Sequence, residues 1–93
     1  MKYHLKFTTA FKKAYKRCIK RGLNMDKLDF VMGELQAGNT LPEQYRDHQL
    51  SGKMSDFRGC HIQPDWLLVY KIKDDILTLT MVDTGSHADI FKM

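Results

Sequence analysis

A chain of 93 residues with a formal net charge of +4 has room for one small sheet-and-helix core and not for a second lobe, so residues 1–93 are expected to form a single domain without linker or repeat. No apolar run approaches the roughly 18 residues a membrane span needs, and the opening Met1-Lys2-Tyr3-His4-Leu5-Lys6-Phe7 alternates instead of forming the apolar block of a signal peptide. These features exclude a membrane protein and lead to the expectation of a soluble, cytoplasmic one. Lys2, Lys6, Lys12, Lys13, Lys16, Arg17, Lys20 and Arg21 all precede the first acidic residue, Asp26, whereas the C-terminal half is rich in aspartate. Such a cluster attracts polyanions at long range and, beside a histidine-rich half, favours RNA over a small-molecule substrate; the plainer alternative is a solvated helix face. Cys18 and Cys60 lack zinc-like spacing and are expected to be buried thiols of a reducing cytosol, not a disulfide.

Residues 2 to 7 alternate, with Tyr3, Leu5 and Phe7 opposite Lys2, His4 and Lys6, the period of a half-buried strand; His4 then points to the polar side and is a bystander. Thr8 or Thr9 can cap a helix in which Phe11, Ala14, Tyr15, Cys18 and Ile19 form the apolar stripe, Lys12, Lys13, Lys16, Arg17 and Lys20 the outer face, and Gly22 the stop. Asn24 or Asp26 opens a second helix with Leu28, Val31, Met32 and Leu35 inward, ending near Gly38-Asn39. The polar stretch from Thr40 to Ser55, with Pro42 and Gly52, reads as a loop that contains His48. Strands are expected at Phe57 to Ile62, at Trp66-Leu67-Leu68-Val69-Tyr70-Lys71-Ile72, which is apolar on both parities and therefore central, and at Ile76 to Val82, with Lys73-Asp74-Asp75 closing a hairpin. The order β-α-α-β-β-β predicts an α+β domain, a strand and helical hairpin packed on an antiparallel sheet.

Three histidines fall in short polar stretches beside the apolar runs: Asp47-His48, His61-Ile62-Gln63-Pro64-Asp65-Trp66 and Gly85-Ser86-His87-Ala88-Asp89. Imidazole exchanges protons near neutral pH, so histidines converging with a carboxylate suit metal-free phosphodiester cleavage. Taken singly, each is better explained as a polar residue at a strand end. A zinc site is the other chemical reading, but no close pair such as His-x-x-x-His signals one, and neither a metal nor any other cofactor is expected.

The motifs Tyr45-Arg46-Asp47-His48-Gln49-Leu50-Ser51-Gly52, Phe57-Arg58-Gly59-Cys60-His61-Ile62-Gln63-Pro64-Asp65-Trp66-Leu67-Leu68-Val69-Tyr70 and Thr84-Gly85-Ser86-His87-Ala88-Asp89-Ile90-Phe91 closely resemble the YafQ-type toxins of the RelE/ParE superfamily. The resemblance covers essentially the whole chain. It implies a bacterial type II toxin that cleaves messenger RNA in the ribosomal A site, is neutralised by a cognate antitoxin in a heterotetrameric complex, and reaches operator DNA through that antitoxin. Carried over residue by residue, it implies catalytic positions at His48, His61, Asp65 and His87, and aromatic positions near the RNA at Trp66 and Phe91.

RNA carries its own nucleophile: a base frees the 2′-oxygen, which attacks phosphorus, and an acid protonates the departing 5′-oxygen. His87 suits the acid and Asp65 or His48 the base, while a protonated His61 would hold the phosphate. Lys12, Lys13, Lys16, Arg17, Lys20 and Arg21 are expected to dock on ribosomal RNA. Two departures stand out: Gln49 where the family often has proline, and Asp83 where many relatives carry an arginine that stabilises phosphate charge. Arg58, Lys53 or Lys92 would have to supply that charge. Otherwise the chain is an impaired module that keeps only antitoxin binding and operator autoregulation.

Overall fold

The computed structural model describes residues 3–73 and 78–91. The expected turn Lys73-Asp74-Asp75 falls largely outside the described residues, and Lys2, Ile76, Leu77 and Lys92 wholly so. In chain order the elements are β1 (His4–Phe7), α1 (Thr9–Lys20), α2 (Met25–Gln36), β2 (His48–Gln49), β3 (Arg58–Gln63), β4 (Trp66–Lys73), β5 (Thr78–Gly85) and α3 (His87–Phe91), with 3₁₀ turns at Glu43–Tyr45 and Gly52–Met54.

Local chemistry sets the helix ends. Thr8 caps α1, its hydroxyl oxygen accepting the Phe11 N–H at 3.0 Å, and Asn24 caps α2 through the Asp26 N–H at 3.1 Å; each such cap stabilises by about 1 kcal/mol. The Thr8 hydroxyl also donates to the Val82 carbonyl at 2.6 Å, pinning the start of α1 to β5. At the far end Gly22 adopts φ +77 while the Gly22 and Leu23 amides bond back to Ile19 and Cys18, the left-handed turn that a residue without Cβ makes at least cost.

The five strands form one sheet in the order β1-β5-β4-β3-β2. The meander β3-β4-β5 is antiparallel as expected, but β1 runs parallel to β5, with Leu5 opposite Leu79 and Phe7 opposite Met81. The sheet is therefore mixed, not antiparallel. Alternation identifies a strand and its two faces; it carries no information about the direction of a neighbour. A second difference is β2: His48 and Gln49 pair with Gly59 and Arg58, so His48 lies on an edge strand and not in an open loop.

β4 is the central strand and is covered on both faces. Trp66, Leu68 and Tyr70 pack with Phe11, Cys18, Leu28, Val31, Leu35, Cys60, Leu79 and Met81 under the helices, while Leu67 and Val69 meet Ile90 of α3 on the other side. Two residues assigned to apolar faces are instead outward: Ile19, from the stripe of α1, is 53% exposed, and Phe7, from the apolar side of β1, is 42% exposed and stacked on Phe11 at 5.5 Å between ring centroids. Cys18 and Cys60 are buried free thiols, and burial pushes the Cys60 thiol up to about 12. Among the described residues no helix is long and apolar enough to cross a membrane.

Candidate active site

Strand parity builds the site. Along β3, Cys60 and Ile62 enter the core under the helices, so His61 turns to the opposite face. His48 stands opposite Gly59 in the antiparallel β2–β3 ladder and shares that face. The tight turn at Pro64 and Asp65, where Gln63 pairs with Trp66, presents Asp65 at the rim. His87 is the first residue of α3, a single helical turn closed at its start by a reciprocal pair: the Ser86 N–H donates to Asp89 at 3.0 Å and the Asp89 N–H donates to the Ser86 hydroxyl oxygen at 3.1 Å.

These elements bring His48, His61, His87 and Phe91 around one small cavity of about 110 Å³, floored by Leu50, Gly59, Leu67 and Val69. The His61 and His87 ring centroids are 5.7 Å apart, and those of His87 and Phe91 6.1 Å. Outside it lies a larger cleft of about 430 Å³ lined by Gln44, Tyr45, Arg46, His61, Ile62, Gln63, Pro64 and His87. Asp65 reaches the group through His87: its Oδ1 lies 2.7 Å from Nδ1 and 3.0 Å from the backbone nitrogen.

The hydrogen bonds fix protons on named atoms. A carboxylate only accepts, so the His87 nitrogen facing Asp65 carries hydrogen and Nε2 is left for chemistry. The same logic holds for His48, whose Nδ1 lies 2.6 Å from the Arg46 carbonyl oxygen. A carbonyl also only accepts; when His48 is neutral, its Nε2 is a free acceptor. The backbone and ring N–H groups of His87 hold the Asp65 carboxyl below its ordinary range, which makes Asp65 an orienting partner and a weak base. His61 is pushed down by burial first, then by the charges of His87, Arg46 and His48, and its Nδ1 is buried without a partner. That depression favours a neutral imidazole and argues against the expected phosphate-holding imidazolium.

Other expected residues lie elsewhere. Arg58 shares the Cys60 and Ile62 parity, on the face opposite the histidines. There its Nη2 lies 3.4 Å from Asp47 and its Nε donates to the Tyr70 hydroxyl, which in turn donates to Asp47. It is not positioned to contact a phosphate at the histidines. Trp66 is 2% exposed in the core, its indole N–H donating to the Thr84 hydroxyl at 3.0 Å, so base stacking is closed to it as the fold stands. An aromatic residue at a strand start reads the same from sequence whether it fills a core or meets a base. Lys53 faces solvent in a 3₁₀ turn. Lys12, Lys13, Lys16 and Lys20 are exposed along α1, but Arg21 grips Asp89 at 2.6 and 3.3 Å, and Arg17 approaches the same carboxylate at 4.0 Å. These contacts separate the two arginines from the lysine face. The Arg21 hydrogen bond, with the Ser86 N–H second to it, holds the Asp89 carboxyl far below its usual range. Asp83 lies opposite Val69, on the histidine side of the sheet, and accepts the Thr84 N–H at 2.8 Å.

Two features went unmarked in the sequence. Ser86-x-x-Asp89 is a legible capping signature, yet a helix of five residues leaves no periodicity to accompany it. Arg46, beside the noted Asp47-His48, lines the cleft with a left-handed backbone (φ +49), a conformation nothing about arginine foretells.

With this geometry in view, the family model described as the bacterial toxin of type II toxin-antitoxin systems, YafQ, matches residues 3–92. The chain belongs to the YafQ toxin family. It is 37% identical over 89 residues to the mRNA interferase toxin YafQ of Escherichia coli strain K12, covering 94% of each chain. Among solved structures, the E. coli DinJ-YafQ complex superposes with a TM-score of 0.87 at 34% identity, covering 96% of this chain and 98% of the other. A metal-bound toxin from Helicobacter pylori superposes with a TM-score of 0.90 at 39% identity, covering 96% and 99%. In the present chain no group of three or more His, Cys, Asp or Glu is arranged to hold a metal ion among the described residues.

Proposed function

We propose that this YafQ-family toxin cuts messenger RNA on the ribosome by acid-base catalysis, the RNA 2′-hydroxyl acting as nucleophile. The observation that carries the reading is the pairing of two imidazoles with fixed Nδ1 protons, His48 on the Arg46 carbonyl and His87 on Asp65, around one cavity. Neutral His48 takes the 2′-hydroxyl proton at Nε2. The 2′-oxygen attacks phosphorus, the bond to the 5′-oxygen breaks, and the His87 imidazolium gives its Nε2 proton to that oxygen. The products are a 2′,3′-cyclic phosphate and a 5′-hydroxyl. Each positioned proton-transfer group supplies about 10²- to 10⁴-fold, and because the nucleophile belongs to the RNA the scheme needs no metal. Asp65 orients His87, neutral His61 lies beside His87, and Phe91 offers a ring on the same histidine's flank on which a base can stack.

The E. coli relative's activity and the DinJ-YafQ complex support messenger RNA as substrate and a cognate antitoxin as partner. The exposed lysines of α1 are suited to ribosomal RNA, and operator DNA would be reached through the antitoxin. Asp83, an anion on the histidine face, favours a second reading in which the chain only binds its antitoxin. Primer extension on transcripts after brief induction separates them: discrete new 5′ ends that vanish with His87→Ala support cleavage, and intact transcripts support the binding module.

A further inference from the structure

Attack on the phosphate builds negative charge on its nonbridging oxygens, and a neutral His61 cannot balance it. The cations flanking the site are mostly engaged. Arg58 is tied to Asp47 on the other face of the sheet, and Arg17 and Arg21 to Asp89. Arg46 differs. It lines the cleft together with His61 and His87, and among the described residues no carboxylate lies within ion-pair distance of it. Its positive charge already reaches the site, because it contributes to the depression of His61.

The backbone holds it there. Arg46 closes the 3₁₀ turn Glu43–Tyr45 in a left-handed conformation, its N–H donating to the Glu43 carbonyl at 2.9 Å and its own carbonyl accepting from His48. Glycine or asparagine takes such a position more cheaply, so a turn alone does not call for arginine. A guanidinium is a planar fork whose paired N–H groups match two phosphate oxygens, and it keeps its charge at any working pH.

We infer that Arg46 is the residue that neutralises the scissile phosphate in this toxin, its guanidinium on the nonbridging oxygens while its carbonyl fixes the proton of His48. The inference rests on the messenger RNA cleavage reading above. It places counter-charge and base two residues apart in the chain, Arg46 at the end of the turn and His48 at the start of β2, so that the phosphate and the 2′-oxygen are met together.

The test is single-turnover cleavage of a defined messenger RNA on purified ribosomes by the full chain and by Arg46→Ala, Arg46→Gly and Arg46→Lys. Each is measured with an ordinary phosphate and with sulfur replacing one nonbridging oxygen at the mapped cut. Arg46→Gly relaxes the left-handed turn while removing the same charge, so it separates side-chain chemistry from backbone strain. We expect Ala and Gly to lose about 10²-fold and Lys less, with the penalty for sulfur large in the wild type and close to one in Ala and Gly. Cleavage by Arg46→Gly within threefold of wild type overturns the inference. So does a large loss with the sulfur penalty unchanged, which would make Arg46 merely structural. If the wild type leaves the RNA intact, the cleavage reading fails first and the inference with it.

Discussion

The two faces of the same sheet divide the labour of this molecule. On the helix side, Trp66, Leu68 and Tyr70 join a continuous apolar core, and the polar groups of these strands are closed on one another, indole on Thr84 and Tyr70 on Asp47 with Arg58. On the other side, among the described residues, only Leu67, Val69 and Ile90 are buried together, and a single helical turn leaves three imidazoles around a cavity. Adjacent residues of β3 belong to opposite regimes, Cys60 to the first and His61 to the second. Stability resides in one face so that the other can hold polar groups with unused hydrogen-bonding capacity, such as the His61 Nδ1.

Substitutions should respect that division. The largest effect is expected from His87→Ala, which removes the acid and should reduce cleavage about 10³-fold in a ribosome-programmed assay while the melting temperature moves little. Leu68→Ala should do the reverse. It leaves the chemistry intact below the melting point but lowers stability by about 2–5 kcal/mol, read by urea unfolding, because a fully buried side chain at the sheet centre leaves a cavity. A catalytic loss from Leu68→Ala at full folding would break the comparison.

Asp89 ties the faces together, capping α3 on one side and holding Arg21 of α1 on the other. Its folded pKa is depressed, so the stability it contributes is present above the unfolded value near 4 and is lost as pH falls through the folded one. Asp89→Asn keeps an oxygen to accept the Ser86 N–H but removes the charge paired with Arg21, so it should lower stability at pH 7 by at most about 1 kcal/mol, and the gap to wild type should narrow below about pH 4. The smallest effect is expected from Asp83→Ala, less than about tenfold on cleavage in the same assay, because screened charges at a site rim act weakly. A steep gain would show that Asp83 disarms the site.

Much of the fold is legible in the residues. β1 shows in its alternation, α1 and α2 in their caps, stripes and terminal glycines, and β4 in its two-sided apolarity. The parallel pairing of β1 with β5 is not, because strand direction depends on how the whole chain returns to the sheet edge. Nor is α3, one turn long, whose capping pair is the lone local signal. At the site, the histidines and Asp65 stand out by residue type, but their roles depend on hydrogen bonds between distant segments. Asp65 reads as a base until its Oδ1 is seen occupied by His87, and Arg58 reads as a phosphate ligand until strand parity turns it to the other face.

The central claim is that His48 and His87, on the open face, cut RNA through its own 2′-oxygen. The most direct measurement is the chemistry of the new ends on a defined messenger RNA in a reconstituted translation reaction. The account predicts 2′,3′-cyclic phosphate and 5′-hydroxyl termini with wild type, and neither termini nor cleavage with His48→Ala combined with His87→Ala. Termini bearing 5′-phosphate and 3′-hydroxyl, or cleavage that persists in the double variant, would contradict it.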